Sequence, residues 1–72
     1  MYLTFPTRYQ VHIHDDKTGR VISSCTIPEP IEQGYFQGQD QFIIYGSKRL
    51  FLYKKIPGSY SFQLMQTRLK NI

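Results

Sequence analysis

The stretch Arg8-Tyr9-Gln10-Val11-His12-Ile13-His14-Asp15-Asp16-Lys17-Thr18-Gly19-Arg20-Val21-Ile22-Ser23-Ser24-Cys25-Thr26-Ile27 decides the fold class. Tyr9, Val11 and Ile13 alternate with Gln10, His12 and His14, the period of a strand with one face in a core. Asp15 to Gly19 then supplies turn chemistry. Asp and Thr side chains bond nearby backbone, and glycine takes a left-handed conformation without a steric penalty. Val21, Ile22, Thr26 and Ile27 are β-branched and suit a returning strand. The reading is a hairpin over residues 8–27.

The same logic extends along the chain. Pro28-Glu29-Pro30 ends the second strand, because proline cannot donate to a sheet ladder. Residues 28–39 hold two prolines and two glycines and read as a connection with one helical turn at residues 31–33, and Tyr35 and Phe36 pin it to the core. Residues 41–45 form a third strand, Gly46-Ser47-Lys48 a turn, and residues 49–55 a fourth strand. Ile56-Pro57-Gly58-Ser59 carries a Pro-Gly turn signal, and residues 59–67 form a fifth strand. The basic tail 68–72 either frays or docks through Ile72. No stretch of ten or more residues follows a helical period. The expectation is a single all-β domain, residues 1–72: a five-stranded antiparallel meander closed as a small barrel or strongly curved sheet. Short hairpin links make antiparallel neighbours, and curling hides open edges.

Size and composition narrow the classes of function. A chain of 72 residues buries only about 60% of its unfolded surface. Its core is thin, and a deep catalytic cleft is hard to build. Cys25 is the only cysteine, which excludes an internal disulfide and a structural zinc site of the multi-cysteine kind. No apolar run reaches the roughly 18 residues of a membrane helix, and the first eight residues lack the pattern of a secretory leader. These features point to a cytoplasmic protein with no membrane role and no cofactor.

Charge is distributed unevenly. All five acids (Asp15, Asp16, Glu29, Glu32 and Asp40) lie in the first 40 residues, and set against Arg8, Lys17 and Arg20 they net −2. Residues 41–72 carry Lys48, Arg49, Lys54, Lys55, Arg68 and Lys70 with no acid, hence +6. Phe42, Tyr45, Phe51, Tyr53, Tyr60 and Phe62 are interleaved with them. Cations beside aromatics suit an anionic partner that can stack. Lys48, Arg49, Lys54 and Lys55 would contact phosphates, and Phe51 or Tyr53 would stack on bases. The competing assignment places Phe51 and Tyr53 in the core. Turn length decides between the faces. A three-residue turn puts Ile43 and Tyr45 with Phe51 and Tyr53, whereas a two-residue turn puts Phe42 there.

If the hairpin loop is 16–19, then Asp15 pairs with Arg20, His14 with Val21, His12 with Ser23 and Gln10 with Cys25. His12, His14 and Cys25 would share one face, within reach of a metal. A catalytic zinc needs three protein ligands, and the chain has no third histidine. The bland alternative is an exposed polar strand face. Ser23, Ser24 and Cys25 near these histidines lack an oxyanion hole and a cleft.

Asp16 to Ile22, followed by Phe42 to Ser47 and Leu50 to Lys54, looks like the meander of one β-propeller blade over about residues 9–66. The Trp-Asp and Gly-His signatures are absent and one blade cannot close, so the likeness expresses shared hairpin chemistry. The sequence therefore favours a non-catalytic binding module. It would be a small subunit, adaptor or inhibitor that docks on a larger protein or self-assembles, with Tyr2, Phe5, Tyr35 and Phe36 as contact residues outside the strands. Single-stranded DNA or RNA is the alternative partner.

Overall fold

The computed structural model describes residues 1–70. It is all-β, with seven strands: β1 (Tyr2–Thr4), β2 (Gln10–His14), β3 (Val21–Thr26), β4 (Ile31–Gln37), β5 (Gln41–Gly46), β6 (Arg49–Lys55) and β7 (Phe62–Leu69). They form two antiparallel sheets, ordered β1-β2-β3 and β4-β5-β6-β7. The all-β expectation holds, while the expected five-stranded meander, drawn as a small barrel or strongly curved sheet, is corrected to seven strands in two open sheets around one core. The proposed docking of Ile72 lies outside the described residues.

The β2–β3 hairpin forms as its sequence dictates. Asp15 Oδ2 accepts from the backbone N–H and the hydroxyl of Thr18, both at 2.9 Å. Gly19 sits at φ 74° and donates to the Asp15 carbonyl at 2.9 Å. Asp15 N donates to Arg20 O, and His14 pairs with Val21. Beyond that pair the register shifts at a bulge between Ile13 and His14. One extra residue on β3 moves every later pairing by one position and one face.

The two additional strands come from segments whose side chains hide the period. β1 is only three residues long. β4 lies in the stretch expected to be a connection, and its middle residue is Gly34. The vacancy left by the missing side chain is filled from elsewhere. A Cβ at Gly34 would meet Ile44 Cδ1 at 2.6 Å and Phe5 Cζ at 3.1 Å. Gly34 is a strand residue, whereas Gly38 takes φ 72° in the following turn. Likewise Ile56 to Ser59 closes a turn through Ser59 N to Ile56 O at 3.1 Å, with Gly58 at φ 77°. Glycine at the third position is what a Pro-Gly turn of this kind requires.

The core lies between the sheets. Val11, Ile13, Ile27, Phe42, Ile44, Phe51 and Tyr53 are buried in a single cluster, with Leu3, Cys25, Ile31, Phe36 and Phe62 packed against it. Ser47 and Lys48 connect β5 to β6, so Phe42 pairs with Tyr53 and Ile44 with Phe51. This is the two-residue case, and all four side chains face inward. Aromatic geometry locks the layer: Phe42 stacks on Tyr53 at 5.0 Å, and Phe36 meets Phe42 and Phe62 edge-on at 5.6 and 6.0 Å. Such pairs contribute about 0.5–1.5 kcal/mol each beyond area burial. Among the described residues no helix is long and apolar enough to cross a membrane.

Candidate functional site: the outer face and free edge of the four-stranded sheet

Opposite the core, the four-stranded sheet presents Tyr35, Ile43, Tyr45, Leu50 and Leu52. The register places Tyr35 beside Ile43, Ile43 beside Leu52, and Tyr45 beside Leu50. On β7 the same face continues with Gln66 and Arg68, opposite Leu52 and Leu50. Lys54 lies opposite Gln63 on this face. The Tyr35 and Tyr45 rings stack at 5.9 Å with their hydroxyls 3.2 Å apart. That hydroxyl contact, helped by partial loss of water, holds the Tyr35 phenol above its ordinary pKa. Tyr45, Leu50, Arg68, Leu69 and Lys70 line an open groove of about 340 Å³ at one end. Lys70 reaches across to Glu32 at 2.6 Å.

β7 is the more unusual element. It is the longest strand, and every residue after Phe62 is exposed. Leu69 is 78% exposed, Met65 51% and Leu64 48%. Thr67 and Leu69 pair with Phe51 and Arg49, so they stand on the core side of the sheet. The three-stranded sheet nevertheless leaves them in solvent. A half-buried strand normally hides one of its faces, and this one hides almost none.

The structure separates the expected site residues. Phe51 is 1% and Tyr53 8% exposed, so the proposed stacking role for these two rings is corrected: in the folded domain they are core. Phe36 is packed against the core as well. Arg49 is committed to the fold, with Nε on Glu29 Oε1 at 2.7 Å and its guanidinium 5.2 Å from the Phe51 ring centroid. Lys48 contributes its backbone N–H to Glu29 at 2.5 Å, while its side chain is exposed. Lys55 sits 5.9 Å from the Tyr60 ring centroid. Lys54 and Tyr35 remain exposed. The other proposed contact rings also have structural duties. Tyr2 stacks on His14 at 4.8 Å, and Phe5 covers Gly34.

The metal constellation falls apart for a physical reason. The bulge sets His12 opposite Ser24 and Val11 opposite Cys25. Cys25 therefore lies on the core side, where burial raises its thiol pKa, and the histidines lie on the other face. Both His14 ring nitrogens are engaged. Nδ1 donates to the Gly19 carbonyl at 2.8 Å, and Nε2 meets the Thr4 hydroxyl at 2.6 Å. Among the described residues no group of three His, Cys, Asp or Glu side chains could hold a metal ion.

Glu29 is the residue that sequence reasoning overlooked. It is buried at 7% exposure and accepts from Lys48 N, Arg49 N and Arg49 Nε at 2.5, 2.8 and 2.7 Å. Loss of water pushes its carboxyl pKa up. The Lys48 amide, the Arg49 side chain and the Arg49 amide outweigh this and hold it at about 2. Gly46 leaves the room, since a Cβ there would overlap the Glu29 carboxylate. The only signal in the sequence is a lone acid framed by two prolines, upstream of Lys48-Arg49. Comparison with family models, curated proteins and solved structures gives no match to this chain.

Proposed function

We propose that this chain is a non-catalytic binding module that docks on a larger protein through the β7 side of its four-stranded sheet. One observation carries the reading: an eight-residue strand with Leu64, Met65 and Leu69 in solvent, beside an outer face built from Tyr35, Tyr45, Leu50 and Leu52. Exposed apolar surface along one strand and the face beside it favours association, and tyrosine and arginine are favoured interface anchors. A thin core adds to the case, because burial against a partner supplies stability that 72 residues supply poorly alone.

The test uses the double variant Leu64→Lys, Leu69→Lys. Both side chains are exposed, so circular dichroism and melting temperature should be unchanged. A partner recovered in stoichiometric amount by the native chain, and lost by the folded double variant, is the expected result. Equal recovery by both proteins would place docking elsewhere, and no stoichiometric partner from native extract would sink the reading.

Single-stranded nucleic acid is the second reading. Tyr35 and Tyr45, with Lys54 and Arg68 on the same face, take the place of Phe51 and Tyr53 as the surface it would use. It ranks lower because the two tyrosines already stack on each other and bond through their hydroxyls. Its test is oligonucleotide binding titrated with salt, where each phosphate contact contributes a log–log slope of about −0.7. Loss of that binding in Tyr35→Ala would raise it to first place.

A further inference from the structure

The edge of β7 differs from the other strand edges of the two sheets. Four strand edges exist in the two sheets. β1 is three residues long and β3 six. The β4 edge is flanked by residues 5–8: Ile31 N donates to Arg8 O at 2.6 Å, and Phe5 covers Gly34. β7 is eight residues long, and among the described residues it pairs only with β6.

Hydrogen-bond alternation tells which of its backbone groups are free. Lys70 N donates to Lys48 O at 3.0 Å. In an antiparallel ladder hydrogen-bonded pairs alternate with pairs whose polar groups point away. With Leu50 opposite Arg68 and Phe51 opposite Thr67, the next bonded pair is Leu50 with Arg68. Thr67 and Leu69 therefore direct their N–H and C=O groups toward the open edge. Their side chains, with that of Leu64, stand on the uncovered core side. Arg68 stands on the other side.

We infer that β7 receives an extended, acidic segment of the partner protein, added to the sheet through the free backbone groups of Thr67 and Leu69. The inference rests on the docking reading above. Strand addition supplies affinity through main-chain bonds and specificity through alternate side chains. Here the alternation is an apolar residue against Leu64 and Leu69, then an acid against Arg68. Charge complementarity selects the occupant. No acid follows Asp40 in the sequence, and among the described residues Lys48, Lys54 and Arg68 form no ion pair. A second copy would bring the same acid-free half to the edge. An acidic strand meets Arg68 at the edge and is drawn toward it by the unpaired charges of Lys48 and Lys54 further along the sheet.

The probe is a capped peptide of alternating valine and glutamate, compared with its valine–lysine counterpart. At about 1 mM, the weak end of measurable affinity, the glutamate peptide should protect the Thr67 and Leu69 amides from hydrogen exchange, with binding that weakens as salt rises. Thr67→Pro removes an outward N–H without removing a bond to β6, and should abolish the protection of the Leu69 amide. Arg68→Glu, a surface change that keeps the fold, should reverse the preference between the two peptides. Equal binding of both peptides by the native chain, or no protection by either, overturns the acidic-strand inference while the test with the Leu64 and Leu69 variant still stands or falls by itself. Concentration-dependent dimerisation that protects the same amides assigns the edge to a second copy and overturns it as well. Protection by a single-stranded oligonucleotide alone assigns the charges to phosphates, with the same consequence.

Discussion

Glu29 and Arg49 join the β3–β4 connection to the start of β6 through a contact of 2.7 Å between Oε1 and Nε. The pair is uneven: the glutamate side chain is 8% exposed and the arginine 38%. The carboxylate also accepts from the backbone amides of Lys48 in the β5–β6 turn and of Arg49 at the start of β6, so it ties the turn to the β3–β4 connection.

That arrangement makes stability fall with acid. The Glu29 carboxyl ionises at about 2 in the folded chain against an ordinary 4.5. A depressed folded value means that the unfolded chain takes up the proton first as pH falls. The contribution is complete above about pH 5.5 and is lost progressively as pH approaches 2. Asp15, lowered from 3.8 chiefly by the Thr18 backbone amide, acts in the lower part of that window. Melting temperatures measured from pH 7 to pH 2 should therefore drop for the native chain. In Glu29→Gln they should start lower and fall less. A curve parallel to the native one would assign the acid sensitivity to other groups.

Gly34 should not tolerate alanine, although alanine is ordinarily the better residue in regular structure. The new methyl would meet Ile44 Cδ1 at 2.6 Å, the Ile43 carbonyl at 3.1 Å and the Phe5 ring at 3.1 Å. Side chains can retreat, but the carbonyl belongs to the neighbouring strand of the ladder. Overpacking of this kind costs typically about 1–3 kcal/mol. Chemical denaturation of Gly34→Ala should give a lower midpoint with an unchanged slope. The double change Gly34→Ala, Phe5→Leu should recover part of the loss if the ring is the main obstacle.

The hairpin of β2 and β3 was legible because its alternation and its turn residues agree. Val11 and Ile13 point inward, and Asp15, Thr18 and Gly19 make the turn bonds their chemistry favours. The third and fourth strands were legible for the same reason, and the two-residue turn was one of two cases open to the sequence. β4 was not legible, since its inward positions include Gly34, whose space is filled by Phe5 from a distant segment. The β3 bulge was not legible either, because Ser23, Ser24 and Cys25 fit either face equally well. That single register step put Cys25 on the opposite face from His12 and His14. At the candidate site, the cations and tyrosines were visible in the sequence. The exposure of β7 was not, because Leu64 and Leu69 look like core residues until the shorter partner sheet fails to reach them.

Phe51 tests that division of faces most sharply. Its ring is 1% exposed, lies opposite Ile44 and carries the Arg49 guanidinium. Truncating a buried phenylalanine costs about 3–5 kcal/mol. A core in a chain this short rarely supplies more than about 3–5 kcal/mol, so Phe51→Ala should be largely unfolded at room temperature. Tyr35→Ala, on the outer face at 45% exposure, should keep its strand signal in circular dichroism and melt within a few degrees of the native chain. The contrast separates core from surface on one sheet with two substitutions. If Phe51→Ala instead stays folded and loses affinity for an oligonucleotide, the ring is a binding residue and the inward face assigned to β6 is wrong. A folded Phe51→Ala that binds as the native chain does would refute the packing and leave the docking surface where β7 puts it.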